Sequence, residues 1–319
     1  MKCRLATMAI LAIFAYLVLT DRTTAGDLHF FWGPKAIAFH RAGGLDARFL
    51  GDPNYFAMHA DYPPLVPLAF ALMHGFTREF PWRAAAFSAV VCLAASAALL
   101  EGAGALLVAA SLAWAFTVAH ASGGADPPLV LFEILALVAL TFRRNDVVAS
   151  IAIACAVMTK VEGATFAVAI VLAILLVQRN WKRAALVVAP ALVLLAAWLT
   201  FVVRHGLLDT YRGGGATIHL TALPKTIVTM ASVASYDLLW LPWLVPIVLV
   251  ATGDRRRAAL PLGVAILTLG AATFFYLHAP DPAWWIESSA PRVLLTPLAA
   301  LTVAGIAAAR PVETIPDAC

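Results

Sequence analysis

Five charged residues of this chain stand where an apolar protein has little reason to keep them: Asp27, Asp126, Lys160, Glu162 and Arg292. Carboxylates of this kind can take a proton from a hydroxyl. Lysine and arginine can neutralise an anion that departs, and the guanidinium fork holds a phosphate through two hydrogen bonds. A second group lies between the first two carboxylates: Lys35, and the stretch "HADYPPLVP" with His59, Asp61 and Tyr62. No metalloprotease, serine-triad, nucleotide-loop or CxxC motif accompanies them. Gly213, Gly214 and Gly215 lack the strand and the Lys-Ser/Thr of a phosphate loop. Cys3, Cys92, Cys155 and Cys319 lie far apart, without disulfide or metal spacing.

Each residue also has a plainer explanation. Asp126 precedes two prolines and can simply open a helix at its favourable, positive end. Glu133 lies seven residues on, on the same helical face and about 10 Å deeper. A carboxylate inside a span is a functional candidate by default, yet it can also be a protonated glutamate bonded between helices. Lys160 and Glu162 can be an ion pair in a turn between two spans, and Arg292 a rim arginine reaching lipid phosphate. Around Asp27, Phe30, Phe31, Trp32, Ile37 and Phe39 can form the apolar face of an interfacial helix that Pro34 starts or kinks. His29 and His40 are placed to share a face of it. Pro63 and Pro64 bias the preceding residues away from helix. "HADYPPLVP" therefore reads as a stiff, extended strut anchored by Leu65, Val66 and Leu68, with Asp61 second to Asp27 for chemistry.

The elements that must position these residues follow from composition. The chain has 319 residues, 62% hydrophobic and 13% charged, with a mean hydropathy of +0.88 and a net charge of +4. Soluble domains carry about 25% charged residues, so this reads as an all-α polytopic membrane protein, one integral unit over residues 1–319. Ten apolar runs are candidate spans: 5–20, 84–100, 103–120, 128–142, 147–160, 163–178, 184–203, 236–252, 258–277 and 293–309. The first reads as an uncleaved span rather than a signal peptide, and residues 222–235 as an interfacial or re-entrant helix. With the N-terminus in the cytoplasm, Arg143-Arg144, the 178–183 segment and Arg255-Arg256-Arg257 all fall on the cytoplasmic side. Only the Glu101–Gly102 hairpin lacks a basic residue. The other face then carries a long first loop, 21–83, and shorter loops near 121–127, 160–163, 204–235 and 278–292. All eight histidines fall there or at its edges, which implies a polar cap over a cavity.

"GDLHFFWGPKA", "HADYPPLVP", "GGADPPLVLF", "TKVEG" and "APRVLL" occur in an order that resembles bacterial membrane glycosyltransferases of the GT-C superfamily. The likeness is to relatives of protein O-mannosyltransferases and lipid A aminoarabinose transferases, and covers about residues 20–300. The resemblance implies a GT-C-like helical fold in the bacterial inner membrane. It implies a polyprenyl-phosphate sugar donor and transfer with inversion on the extracytoplasmic face. Asp27 matches the acidic residue proposed as general base, and Asp126 the second acidic position. Lys160 and Glu162 match a Lys-x-Glu-Gly element, and Arg292 a late arginine that meets lipid phosphate. Lys35 is a further candidate for that phosphate. His59, Asp61 and Tyr62 are candidates for substrate contact. The acceptor is a lipid, a glycan or a protein, and a divalent cation, Mg or Mn, is left open as cofactor. Two features depart from the pattern: Leu28 stands where protein mannosyltransferases have a second acid, and no C-terminal periplasmic domain follows. Two other classes stay open, a transporter or lipid flippase and a non-catalytic assembly subunit. A transporter would predict paired inverted halves with broken spans near mid-membrane, which the sequence lacks.

Overall fold

The computed structural model describes residues 1–54, 59–207, 220–236, 240–278 and 281–310. Among them the chain is all-helical, with one isolated β-bridge and no strand. Helix α1 (Lys2–Leu19) is followed by a π-helical turn, Leu28–Trp32, then α2 (Gly33–Ala42), α3 (Ala47–Leu50) and α4 (Leu65–His74). The bundle continues with α5 (Trp82–Ala98), α6 (Gly102–Val118), α7 (Asp126–Val138), α8 (Asp146–Thr159), α9 (Val161–Ala173) and α10 (Trp181–Arg204). The last elements are α11 (Leu223–Tyr236), α12 (Leu241–Thr252), α13 (Arg255–His278), α14 (Pro282–Val293) and α15 (Leu295–Ala309). Both α7 and α9 run on through π-helical turns, Ala139–Arg143 and Ile174–Gln178.

Among the described residues five stretches are long and apolar enough to cross a membrane: Lys2–Leu19, Val161–Gln178, Trp181–Arg204, Arg255–His278 and Pro282–Ala309. The other predicted spans also fall on helices, but α8 has only 14 residues and α12 only 12, where a full crossing takes about 20.

Helix α15 is the axis of the bundle. Every residue from Leu295 to Ala308 is buried, many of them alanine, glycine or threonine. Small residues let neighbouring backbones approach closely, and α6, α7, α12 and α13 all pack against it. At one end of the bundle the basic clusters meet. Arg183 bonds Asp146 through Nε and Nη2, joining two connections. Arg257 donates to the Arg310 carbonyl, and the Arg310 guanidinium lies 4.1 Å from the centre of the Phe142 ring.

Two local expectations change. Residues 278–292 were read as a loop, but Pro282–Val293 is a helix, because Asp281 caps its start by accepting from the amides of Ala283 and Trp284. "HADYPPLVP" is not an extended strut. The chain turns at His59–Tyr62, and helix begins at Leu65, directly after Pro64, so Leu65, Val66 and Leu68 are helical. Pro67 fits because a first-turn residue has no intrahelical bond to lose. His29 stacks on Trp82 and His40 meets His74, and the rings of Trp82 and His74 both pack against Phe80. The interfacial face is divided, with Trp32 and Phe39 buried and Phe30 exposed. Helix runs without a break from residue 26 through the π turn to Ala42, so Pro34 lies within it; residues 222–235 are helical. Arg212, Gly213, Gly214, Gly215 and His219 lie outside the described residues.

Candidate active site

The site is assembled by a short stitch between two turns. After α1 the chain turns and passes the α6–α7 connection, where Thr24 and Ser122 form an isolated parallel bridge. There Ser122 N donates to Thr23 O (3.0 Å), Ala25 N donates to Ser122 O (2.8 Å), and the two hydroxyls bond each other at 2.8 Å. Gly123 makes this approach possible. Its φ is +81°, and a Cβ there would lie 2.5 Å from Leu28 Cδ2. The stitch brings the segment carrying Asp27 against the one carrying Asp126, which are 99 positions apart in sequence.

Asp126 sits in the first turn of α7, but its side chain caps nothing. Its Oδ1 accepts from Lys160 Nζ at 2.8 Å instead. Lys160 stands at a break, the single extended residue between α8 and α9, with φ −158° and ψ 159°. The break turns its side chain inward, and the same ammonium reaches Glu162 Oε1 at 3.0 Å. Gly163 allows the two helices to close on this turn, since a Cβ there would lie 2.0 Å from the Ala156 carbonyl. Lys160 and Asp126 are buried, and the Glu162 side chain is 28% exposed. Burial alone would lower the Lys160 pKa, but the carboxylates of Asp126 and Glu162 outweigh it and hold the ammonium well above the usual lysine range.

Arg292, in the last turn of α14, donates through Nη1 to Asp27 Oδ2. Both side chains stay partly open, 27% and 24% exposed. The two ion-pair groups are electrostatic neighbours. The charge of Arg292 acts on Lys160, and Tyr62 feels Glu162, Lys160, Asp61 and Asp27. Burial first, then the nearby carboxylates, push the Tyr62 hydroxyl far above the tyrosine range, so it remains a neutral donor.

The remaining candidates build the cap. Lys35 is buried, and its ammonium donates to the His59 carbonyl at 2.7 Å, below the rings of Trp32 and Tyr62 (5.6 and 6.0 Å to the centroids). His59 adopts a left-handed φ of +47° and stacks on Tyr62 at 4.6 Å. Asp61 is buried, and its carbonyl accepts from Trp198 Nε1 of α10 at 2.9 Å. Asp27, Asp126, Lys160, Glu162, Arg292 and Tyr62 thus come together, while Lys35, His59 and Asp61 brace the wall beside them.

Four supporting residues were not singled out from sequence: Thr23, Ser122, Trp198 and Thr296. Trp198 is a lone indole in an apolar run, whose N–H needs a partner when buried. Thr296 lies four residues after Arg292, one turn along the same face, and donates to Glu133 Oε1 at 2.8 Å. Glu133 is fully buried between α7 and α15, the interhelical reading of that residue. Thr23 and Ser122 gave no signal beyond hydroxyl-rich turns.

A divalent cation does not fit the donors present. Among the described residues no cluster of three or more His, Cys, Asp or Glu can hold a metal. The seat between Asp126 and Glu162 is filled by the Lys160 ammonium. A cavity of about 410 Å³ lies elsewhere, lined by residues of α1, α5 and α6 that include Arg4 and Glu101. The walls of that cavity are mostly apolar, and the charge cluster lies apart from it. Comparisons with known proteins found no matching family model, no matching curated protein and no matching solved structure.

Proposed function

We propose that this chain is an inverting membrane glycosyltransferase of the GT-C type, which moves a sugar from a polyprenyl-phosphate donor to an acceptor hydroxyl. The observation that supports it most is the partly open Asp27–Arg292 pair beside the buried Asp126–Lys160–Glu162 cluster. A proton acceptor and a phosphate-matching guanidinium stand side by side, each 24–27% exposed. Donor phosphate takes the Arg292 fork, which releases Asp27 from its partner. Asp27 then accepts the acceptor's hydroxyl proton as the oxygen attacks the anomeric carbon from the face opposite the phosphate. The bond from that carbon to the phosphate oxygen breaks, its electron pair leaves with the phosphate, and Arg292 stabilises the charge that develops. The proton on Asp27 passes to water when product leaves. Lys160 stays between its carboxylates and keeps Asp126 and Glu162 from repelling the anionic donor. Tyr62, with His59 stacked on it, offers a ring and a neutral hydroxyl to the sugar.

In this reading the chain crosses the inner membrane ten times, with its N-terminus in the cytoplasm. The basic clusters that meet at the far end of the bundle would mark the cytoplasmic side, and residues 21–83 the extracytoplasmic cap. A transporter reading rests on Glu133 alone, and the Thr296 bond gives that residue an interhelical partner. The test is purified protein in lipid, incubated with a panel of polyprenyl-phosphate sugars and followed for loss of donor sugar. Asp27→Asn should lose about 10²–10⁴-fold in transfer while keeping its helical content and monodispersity. Full transfer by that variant removes Asp27 from the mechanism. Absence of turnover and binding across the panel removes the glycosyltransferase assignment.

A further inference from the structure

Glu133 has no part in the chemistry above, yet it is fully buried and takes its hydrogen bond from an unusual donor. Three other buried threonines close on their own helix. Thr159 donates to the Cys155 carbonyl at 2.7 Å, Thr268 to that of Val264 at 2.8 Å, and Thr302 to that of Leu298 at 2.8 Å. This back-bond is the common choice of a threonine inside a helix. Thr296 departs from it. The carbonyl four residues back belongs to Arg292, and Thr296 instead reaches across to Glu133 Oε1 at 2.8 Å, tying α15 to α7. Among the described residues Glu133 Oε2 has no hydrogen-bond partner, so the Thr296 bond is what orients this carboxyl.

The backbone beside Thr296 is weakened. Pro291 and Pro297 lack an N–H, so the Glu287 and Val293 carbonyls lose their rungs of the helix ladder, one on either side of Arg292. The helix is interrupted between them, at Leu294. The packing divides at the same place. Ile286, Ala290 and Leu294 form a small cluster with Met230 of α11 and Tyr276 of α13. Leu28 and Leu129, near Asp27 and Asp126 in sequence, belong to the main core, as do Leu295 and Leu298 of α15. Arg292 is thus carried on one side of a joint and its partner Asp27 stands on the other. Helix α7 holds Asp126 with Glu133 two turns on, and the α14–α15 arm holds Arg292 with Thr296 one turn on. The Thr296–Glu133 bond joins the deeper members of these two rows.

We propose that Glu133, acting through Thr296, is a positioning residue that sets the depth and rotation of the Arg292 guanidinium. The inference rests on the phosphate-binding role given to Arg292 above. Apolar packing could hold α15 against α7, but it has no direction. A hydrogen bond has one, and this one acts a single turn from Arg292, where two rungs of the ladder are missing. A guanidinium fork that holds a phosphate through two bonds tolerates little displacement. Loss of one of those bonds should weaken phosphate binding about tenfold.

The test measures binding of farnesyl phosphate, a short polyprenyl phosphate without a sugar, to the purified full chain in detergent, with unfolding followed in parallel. Arg292→Ala and Thr296→Val should each weaken binding about tenfold or more. Thr296→Ser keeps the donor and Glu133→Gln keeps an acceptor oxygen, so both should bind within about twofold of wild type. Thr296→Val/Glu133→Leu separates position from stability: it should regain part of the stability lost in Thr296→Val and still bind about tenfold more weakly than wild type. Thr302→Val loses only a bond within α15 and should bind like wild type. If Arg292→Ala weakens binding and Thr296→Val does not, the positioning role is overturned and the role of Arg292 stands. A double variant that regains binding together with stability has the same meaning. No binding by the wild type, or unchanged binding in Arg292→Ala, overturns both.

Discussion

Removing the ammonium that holds the buried carboxylates is the sharpest perturbation of this site. In Lys160→Met, the Asp126 carboxylate, 5% exposed, loses a partner at 2.8 Å, and Glu162 loses one at 3.0 Å. At an effective dielectric near 20, each attraction is worth about 6 kcal/mol before desolvation. Desolvation of the three ions cancels most of that. Breaking a buried pair from one side nevertheless costs about 3–5 kcal/mol, because a charge remains buried without its partner. Most of the loss should come through Asp126, since Glu162 is 28% exposed and keeps part of its hydration. The double variant Asp126→Asn/Lys160→Met should regain most of the loss, because the stranded charge is gone. Unfolding of the purified protein in mixed micelles, followed by tryptophan fluorescence as denaturing detergent rises, measures both. The pH dependence has a definite sign. The folded ammonium holds its proton more tightly than an ordinary lysine at 10.5, so its stabilisation is complete below about pH 10.5 and declines as pH rises through the folded value. The gap between wild type and Lys160→Met should therefore be flat from about pH 7 to 10 and narrow only above that. A single variant within about 0.5 kcal/mol of wild type, the scale of an ordinary surface change, would refute the reasoning. So would a double variant no better than the single one.

Other outcomes follow from the supporting residues. Gly123→Ala places a Cβ 2.5 Å from Leu28 Cδ2 at a left-handed φ of +81°; it should cost about 1–3 kcal/mol and lower transfer more than binding of a phosphate-lipid, because the stitch beside Asp27 shifts. Thr296→Val keeps the shape but leaves Glu133 Oε1 without its donor; it should cost about 1–3 kcal/mol by the same unfolding assay, and Glu133→Leu in that background should recover part of it.

Much of the architecture was legible in the sequence because apolar length is a local property. The described residues of the ten apolar runs fall largely on helices. The misreadings are local signals overruled by neighbours. The 278–292 segment looked like a loop because of its prolines and polar residues, yet Asp281 caps a helix there. Pro63 and Pro64 promised an extended run, but the capless start of α4 follows them directly.

The sequence by itself determined that the chain is helical and apolar, and which few charges stand out against that background. Composition and periodicity suffice for this, since they depend on residues close in the chain. Only the tertiary structure decided the partners. That Arg292 meets Asp27, 265 positions away, and that Lys160 rather than a helix end takes Asp126, depends on a hydroxyl stitch between two turns and on a one-residue break between two helices. No spacing rule encodes such pairings. They arise where low dielectric makes an unpaired charge costly and the packed helices leave it one partner within reach.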